Sequence, residues 1–279
     1  MNANLTLDRI AIEEAGPNPE RLAEAILKQL AITTAAIPAE AIAYALDISE
    51  IRYAPLQSFE GALLTTAERN RGAILINSGA NPQRRRFTLA HELGHFLNPW
   101  HIPHHEAGFM CAQHEVQYGS VRGNVGMTRH DMQELEANRF AIELLAPRRI
   151  IERMSSDEPS LKDALDIAAT LDLSKSSAGR RYAELHPAPL ALAFTQHGRI
   201  IYTITSSSCP RLFLSKGDNL IKPHTVARVD IVTSEIDIET RNGSGRSSGV
   251  TVFAETLFQQ DGYAMTLLNL EPDEDDAEE

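Results

Sequence analysis

The 279-residue chain has no run approaching 18 uninterrupted apolar residues, which excludes a transmembrane helix. Cysteine is scarce: Cys111 and Cys209 stand far apart, so no disulfide framework holds this fold. The opening stretch MNANLTLDRIAIEEAG lacks the basic, apolar, small-residue order of a secretory signal. Together these absences point to a cytoplasmic, reducing location with no membrane partner. Basic residues are also few, 26 against 38 acids, for a net charge of −12. A broad phosphate-binding face is thereby excluded, because phosphate contacts supply most nucleic-acid affinity, and direct nucleic-acid binding is not expected. The small basic clusters Arg84-Arg85-Arg86 and Arg180-Arg181 read as solvated helix faces.

What is present is a globular composition: 43% of residues are hydrophobic and 23% charged, which rules out a wholly disordered chain. The length allows two domains and a core that needs no staples. Residues 17–31 and 37–46 read as helices, and 50–55, 60–66 and 72–77 as strands, the last two joined by a polar turn from Glu68 to Arg71. A helix follows, with Asn81 as N-cap, Pro82 in its first turn and Pro99 ending it. Residues 98–128 read as a long histidine-rich loop. Helical pattern returns over 129–146, with Met132, Leu135, Phe140, Leu144 and Leu145 as apolar anchors.

Helices near 160–171 and 174–185 make a helix-turn-helix-like pair, for which a plain helical hairpin is the simpler reading. After Pro189 the texture turns to strands, interrupted by the flexible RNGSGRSSG at 241–249. The expected fold class is α+β. A mixed helix-and-strand domain over 1–149 is expected to precede a helical segment over 150–186 and a β-rich domain over 187–271. Residues 272–279 form an acidic disordered tail.

The strongest local signal is His91-Glu92-Leu93-Gly94-His95, an H-E-x-x-H motif. Residues four apart share a helix face, so His91 and His95 can both offer imidazole nitrogen to one zinc. Glu92 sits about 100° around the helix, placed to reach a water beside the metal and to act as the catalytic base. A five-residue match arises by chance in roughly one chain in a hundred of this length, so its setting decides. Phe87, Leu89, Ala90, Phe96 and Leu97 give the motif a buried setting, directly after a strand ending at Asn77. That sheet, near residues 60–77, is expected to offer its edge to an extended substrate.

A catalytic zinc needs a third protein ligand and an open fourth position. The longer metzincin pattern fails: His101 has the right spacing, but Asn98 stands where glycine is required. His101, His104, His105, His114 and Cys111 remain candidates, and a better one lies in the run from Glu134 to Ala141. Glu134 and Glu136 lie about 200° apart on a helix, so both cannot face one metal. Glu134 shares its face with Ala137, Asn138 and Ala141, small residues that allow close helix packing. For stabilising an oxyanion, Tyr118, His114, Arg122, His130 and Tyr182 qualify by type.

The run ILINSGANPQRRRFTLAHELGHFL, followed by E-x-x-A-N-x-F-A-x-x-L-L-x-P, resembles the ImmA/IrrE family of metallopeptidases over about residues 60–148. The resemblance implies that 1–149 is a zincin-like metallopeptidase domain and 187–271 a sensor-like one. It implies a gluzincin-like zinc metalloendopeptidase with one zinc per chain, held by His91, His95 and Glu134, and with Glu92 as base. It further implies a cytosolic enzyme that cleaves a helix-turn-helix transcriptional repressor at one place, releasing stress-response, phage or mobile-element genes. The alternative is a non-proteolytic regulator that uses a zincin fold to bind a partner or DNA.

Overall fold

The computed structural model describes residues 5–30, 35–66, 68–103, 108–112, 127–224, 230–241 and 247–270. The chain is a mixed α+β protein dividing into two compact units, 1–147 and 148–279. The helical segment expected over 150–186 falls within the second unit. The acidic tail expected over 272–279 lies outside the described residues. No described helix is long and apolar enough to cross a membrane.

The first unit runs α1 (Arg9–Glu13), α2 (Pro19–Leu30), α3 (Ala39–Ala45), β1 (Ile48–Ala54), β2 (Phe59–Thr65), β3 (Gly72–Asn77), α4 (Pro82–Leu97), β4 (Phe109–Ala112) and α5 (Arg129–Leu145). Its sheet has the order β1-β3-β2-β4; β1 pairs with β3 in parallel and the other pairs are antiparallel. The edge expected near residues 60–77 is therefore corrected. β2 and β3 are the two inner strands, each flanked on both sides, and among the described residues the edges are β1 and β4. The loop expected over 98–128 contains β4, which pairs with β2 through Gly61 and Cys111.

Two helices lie at the centre of this unit. Asn81 caps α4 as expected, its side chain accepting from the Arg84 N–H at 2.8 Å, with Pro82 at the first position. Residues 88–97 of α4 are buried throughout. Thr128 and Asp131 form a capping box at the start of α5. Gly94 lets the two helices close up: a Cβ there would stand 3.0 Å from the Phe140 ring and 3.3 Å from the Ala137 Cα. Met132 is corrected as a core anchor, because it is exposed while Gln133, Glu134, Ala137 and Asn138 are buried.

The second unit comprises α6 (Arg148–Met154), α7 (Leu161–Leu171), α8 (Lys175–Leu185), β5 (Leu190–Gln196), β6 (Arg199–Thr205), β7 (Arg211–Leu212), β8 (Val232–Arg241), β9 (Ser247–Phe258) and β10 (Tyr263–Asn269). The strands form one antiparallel sheet in the order β6-β5-β10-β9-β8-β7. The turn expected over 241–249 is shortened, since β9 already begins at Ser247. Helix α8 packs on β5 and β6 and buries Ala178, Gly179, Arg181, Tyr182 and Ala183. The opposite face of α8 carries the exposed Lys175, Ser176 and Glu184.

The basic clusters also differ from the expected solvated faces. Arg181 is fully buried beside Glu184 at 3.3 Å, and Arg180 lies over the Tyr202 ring. Arg84 approaches Glu60 at 3.8 Å, Arg85 lies over Tyr53, and Arg86 donates to the Ile37 carbonyl.

Candidate metal centre

One turn of α4 separates His91 from His95, and the facing turn of α5 presents Glu134 between them. The two imidazole Nε2 atoms stand 3.1 Å apart. Glu134 reaches both, Oε2 to His91 at 3.1 Å and Oε1 to His95 at 3.3 Å. From β4 the Cys111 Sγ comes within 3.7 Å of His95 Nε2 and 4.0 Å of Glu134 Oε1. All four ligand atoms lie within 4.8 Å of one another, and all four residues are buried. Around an ion bonded tetrahedrally at about 2.0–2.3 Å, neighbouring donor atoms stand roughly 3.3–3.6 Å apart. The observed spacings bracket that range, so this buried cluster is compatible with a metal site.

The far nitrogens of both rings are engaged. His91 Nδ1 stands 3.0 Å from Asn138 Oδ1, one α5 turn beyond Glu134. His95 Nδ1 stands 2.9 Å from His101 Nδ1, and His101 Nε2 lies 2.9 Å from Glu136 Oε2. The network assigns the tautomers. Protons on both Nδ1 atoms leave both Nε2 lone pairs aimed at the cluster, and the His101 Nε2–H donates to Glu136. Such outer partners fix ring orientation and raise the basicity of the ligand nitrogen.

His101 is thus neither a loop histidine at the surface nor a member of the cluster; it is buried behind His95. Glu136 points away from the cluster as well, bonded to Asn98 and His101. His104, His105, His114, Tyr118 and Arg122 lie outside the described residues. His130, half-buried, stands at the rim with Nδ1 3.7 Å from Glu134 Oε1. Tyr182 is corrected as an oxyanion candidate: it is fully buried in the second unit, where its hydroxyl accepts from the Ser160 N–H at 2.9 Å.

Burial governs the electrostatics. It pushes His95 down to about 3. His101 also falls to about 3, through burial first and then the positive charge of Arg69. Burial, the largest single cause, would lower His91 too, but its hydrogen bond to Glu134 and the charges of Glu134 and Glu92 together hold it above the ordinary value. The Glu134 carboxyl is pushed up by burial, yet its bonds to His91 and His95 carry it well below the usual carboxylate range. The cluster thus sets an ionised carboxylate beside a neutral His95 imidazole, a donor set that suits a bound cation.

Glu92 is buried on α4 and acts on His91 electrostatically. It fits only because β2 has glycine at 61, where a Cβ would stand 2.6 Å from Glu92 Oε1. Arg69, in the turn between β2 and β3, holds the end of α4. Its guanidinium donates to the carbonyls of His95, Phe96, Asn98 and His101, satisfying groups a helix terminus leaves open. Reasoning from sequence placed neither Arg69 nor the His101–Glu136 pair here. The four-residue spacing from Glu134 to Asn138 was the one signal of an outer partner.

Residues 48–182 match the family model of the IrrE N-terminal-like domain. A curated relative, the radiation response metalloprotease IrrE of Deinococcus radiodurans, is 27% identical over 151 residues. The match covers 54% of this chain and 41% of that relative, so less than half of the relative's length is represented. Among solved structures, a Mycobacterium tuberculosis transcriptional regulator aligns with 90% of this chain and 75% of its own, at 13% identity and a TM-score of 0.46. That likeness is too loose to bear on fold or function.

Proposed function

We propose that the protein, whose residues 48–182 match the IrrE N-terminal-like domain, is a zinc-dependent endopeptidase of the ImmA/IrrE type. Its substrate is one cytosolic helix-turn-helix repressor, cut at a defined place so that the repressed genes are released. The observation that carries the reading is the convergence of His91, His95 and Glu134 in one buried cluster, with Glu92 on the same helix. Two neutral imidazoles and a carboxylate would hold one zinc per chain.

Bound there, the metal supplies Lewis-acid polarisation of the scissile carbonyl and lowers the pKa of nearby water. The chain's own residues do the rest. Glu92 accepts a proton from the attacking water and passes it to the departing amide nitrogen, so that water and peptide become acid and amine. Asn138 and the His101–Glu136 pair keep the two rings turned inward. His130 at the rim is placed to steady the tetrahedral oxyanion. An extended substrate would pair with β4, the sheet edge that carries Cys111.

The −12 charge favours encounter with a basic DNA-binding protein. The same acidic balance disfavours the alternative of direct DNA contact. Incubating the zinc-loaded protein with its genetically adjacent repressor and, separately, with unfolded casein tests the reading. Discrete repressor fragments that vanish with a chelator are expected. Rapid casein digestion with the repressor left whole would overturn it.

A further inference from the structure

The reaction above gives no task to Cys111, yet its thiol stands 3.7 Å from His95 Nε2 and 4.0 Å from Glu134 Oε1. Phe109 and Cys111 are alternate residues of β4, so both point to the same face. Phe109 stacks on the His95 ring, with centroids 4.6 Å apart and planes at 24°. Cys111 pairs in register with Gly61, the residue against which Glu92 packs. The strand thereby sets Sγ between His95 Nε2 and Glu134 Oε1 with no solvent exposure.

A buried cysteine often serves only as a small apolar filler. The donor spacing here says more. A sulfur at about 2.3 Å and a nitrogen at about 2.0 Å from one tetrahedral ion stand roughly 3.5 Å apart, and the observed separation is 3.7 Å. We propose that Cys111 Sγ is a fourth protein ligand to the metal held by His91, His95 and Glu134, so that the centre is closed at rest.

The inference rests on the metal reading of the previous section. A coordinating thiol binds as thiolate, losing its proton to solvent. Four protein ligands are the mark of a structural site, whereas catalysis needs one position open. Cleavage then requires substrate or water to displace Sγ, and the resting enzyme is latent. Because Cys111 belongs to an edge strand, a segment pairing with β4 would act on the strand that carries the blocking ligand. Docking and unblocking would thus be coupled.

Cobalt substitution of the full-length protein tests this without recourse to activity. One bound Co²⁺ should give a near-ultraviolet sulfur-to-metal charge-transfer band. The band should persist in Cys209→Ser and disappear in Cys111→Ser while that variant still binds one Co²⁺. Cys111→Ser should also weaken metal binding by more than the roughly 10–100-fold that loss of an outer partner costs. X-ray absorption on the zinc-loaded wild type needs no variant and should find one sulfur at about 2.3 Å. Cobalt bound in a His95-dependent way without the band, or zinc with only nitrogen and oxygen neighbours, would overturn the role of Cys111 and leave the metal site standing. Full cobalt binding by His95→Ala would instead overturn the metal site itself, and this inference with it.

Discussion

Each unit contains a packed pair of helices, and the two pairs bury opposite kinds of surface. In the second unit α7 hides Leu161, Ala164, Ile167, Ala168 and Leu171, an apolar stripe of ordinary spacing. In the first unit α4 and α5 bury His91, Glu92, His95, Gln133, Glu134 and Asn138 among their apolar neighbours. Burying polar groups costs free energy unless each finds a partner. The first pair meets that demand through a connected set: Asn138 on His91, His101 on His95, Glu136 on His101, and Glu134 between both histidines. A face kept polar at such cost marks a place where chemistry, rather than packing alone, dictates the side chains.

Five substitutions would break or sharpen this contrast, beginning with the largest expected effect on the centre. His95→Ala should abolish stoichiometric metal binding, read by elemental analysis; full metal content in that variant would sink the ligand assignment. Glu92→Gln should keep the metal and lower cleavage by about 10²–10⁴-fold, because glutamine accepts no proton from water. Cleavage of the repressor at the wild-type rate would remove Glu92 from its role as base.

Glu136→Gln, whose amide oxygen still accepts from His101, should weaken metal binding by less than the roughly 10–100-fold that loss of an outer partner costs, whereas Glu134→Gln should not hold the metal stoichiometrically. Equal losses in competition titrations would mean that the α5 register is misread. Ile167→Ala, within the apolar stripe of α7, should cost about 2–5 kcal/mol of stability in denaturant melts. Its metal content should not change; a loss of metal there would show that the two helix pairs are not separate in function.

Chelation sharpens the contrast further. With free zinc about a thousandfold above its dissociation constant, the metal adds about 4 kcal/mol to the unit that binds it. Calorimetry with and without a chelator should therefore move the transition of the first unit and leave that of the second in place. Equal shifts in both would contradict a centre confined to the first unit.

Much of the architecture was legible because its causes are local. The Asn81 cap, Pro82 and the apolar run around the motif set α4 within two residues of its expected span. The small residues following Glu134 correctly announced close packing of α5 on α4. Misreadings arose where the buried surface is polar. Met132 looked like an anchor because apolar periodicity stands in for burial, whereas α5 turns Gln133, Glu134 and Asn138 inward instead. β4 escaped notice because four residues give only two inward side chains, too few for alternation to register. The misplaced sheet edge follows directly, since β4 is the strand that covers β2.

The sequence alone determined the pairing of His91 with His95 and the place of Glu92 beside them, because helical periodicity converts spacing into direction. The sequence also nominated Glu134 and Cys111 as candidates, but only the tertiary structure brought them and their neighbours together around the pair. Glu134 comes from 43 residues beyond His91, Cys111 from a short edge strand, and the His101–Glu136 pair from two separate elements. Arg69 reaches the end of α4 from a turn 26 residues before His95. No local rule links these positions; only the packing of α4, α5 and the sheet into one core brings their polar atoms within bonding distance.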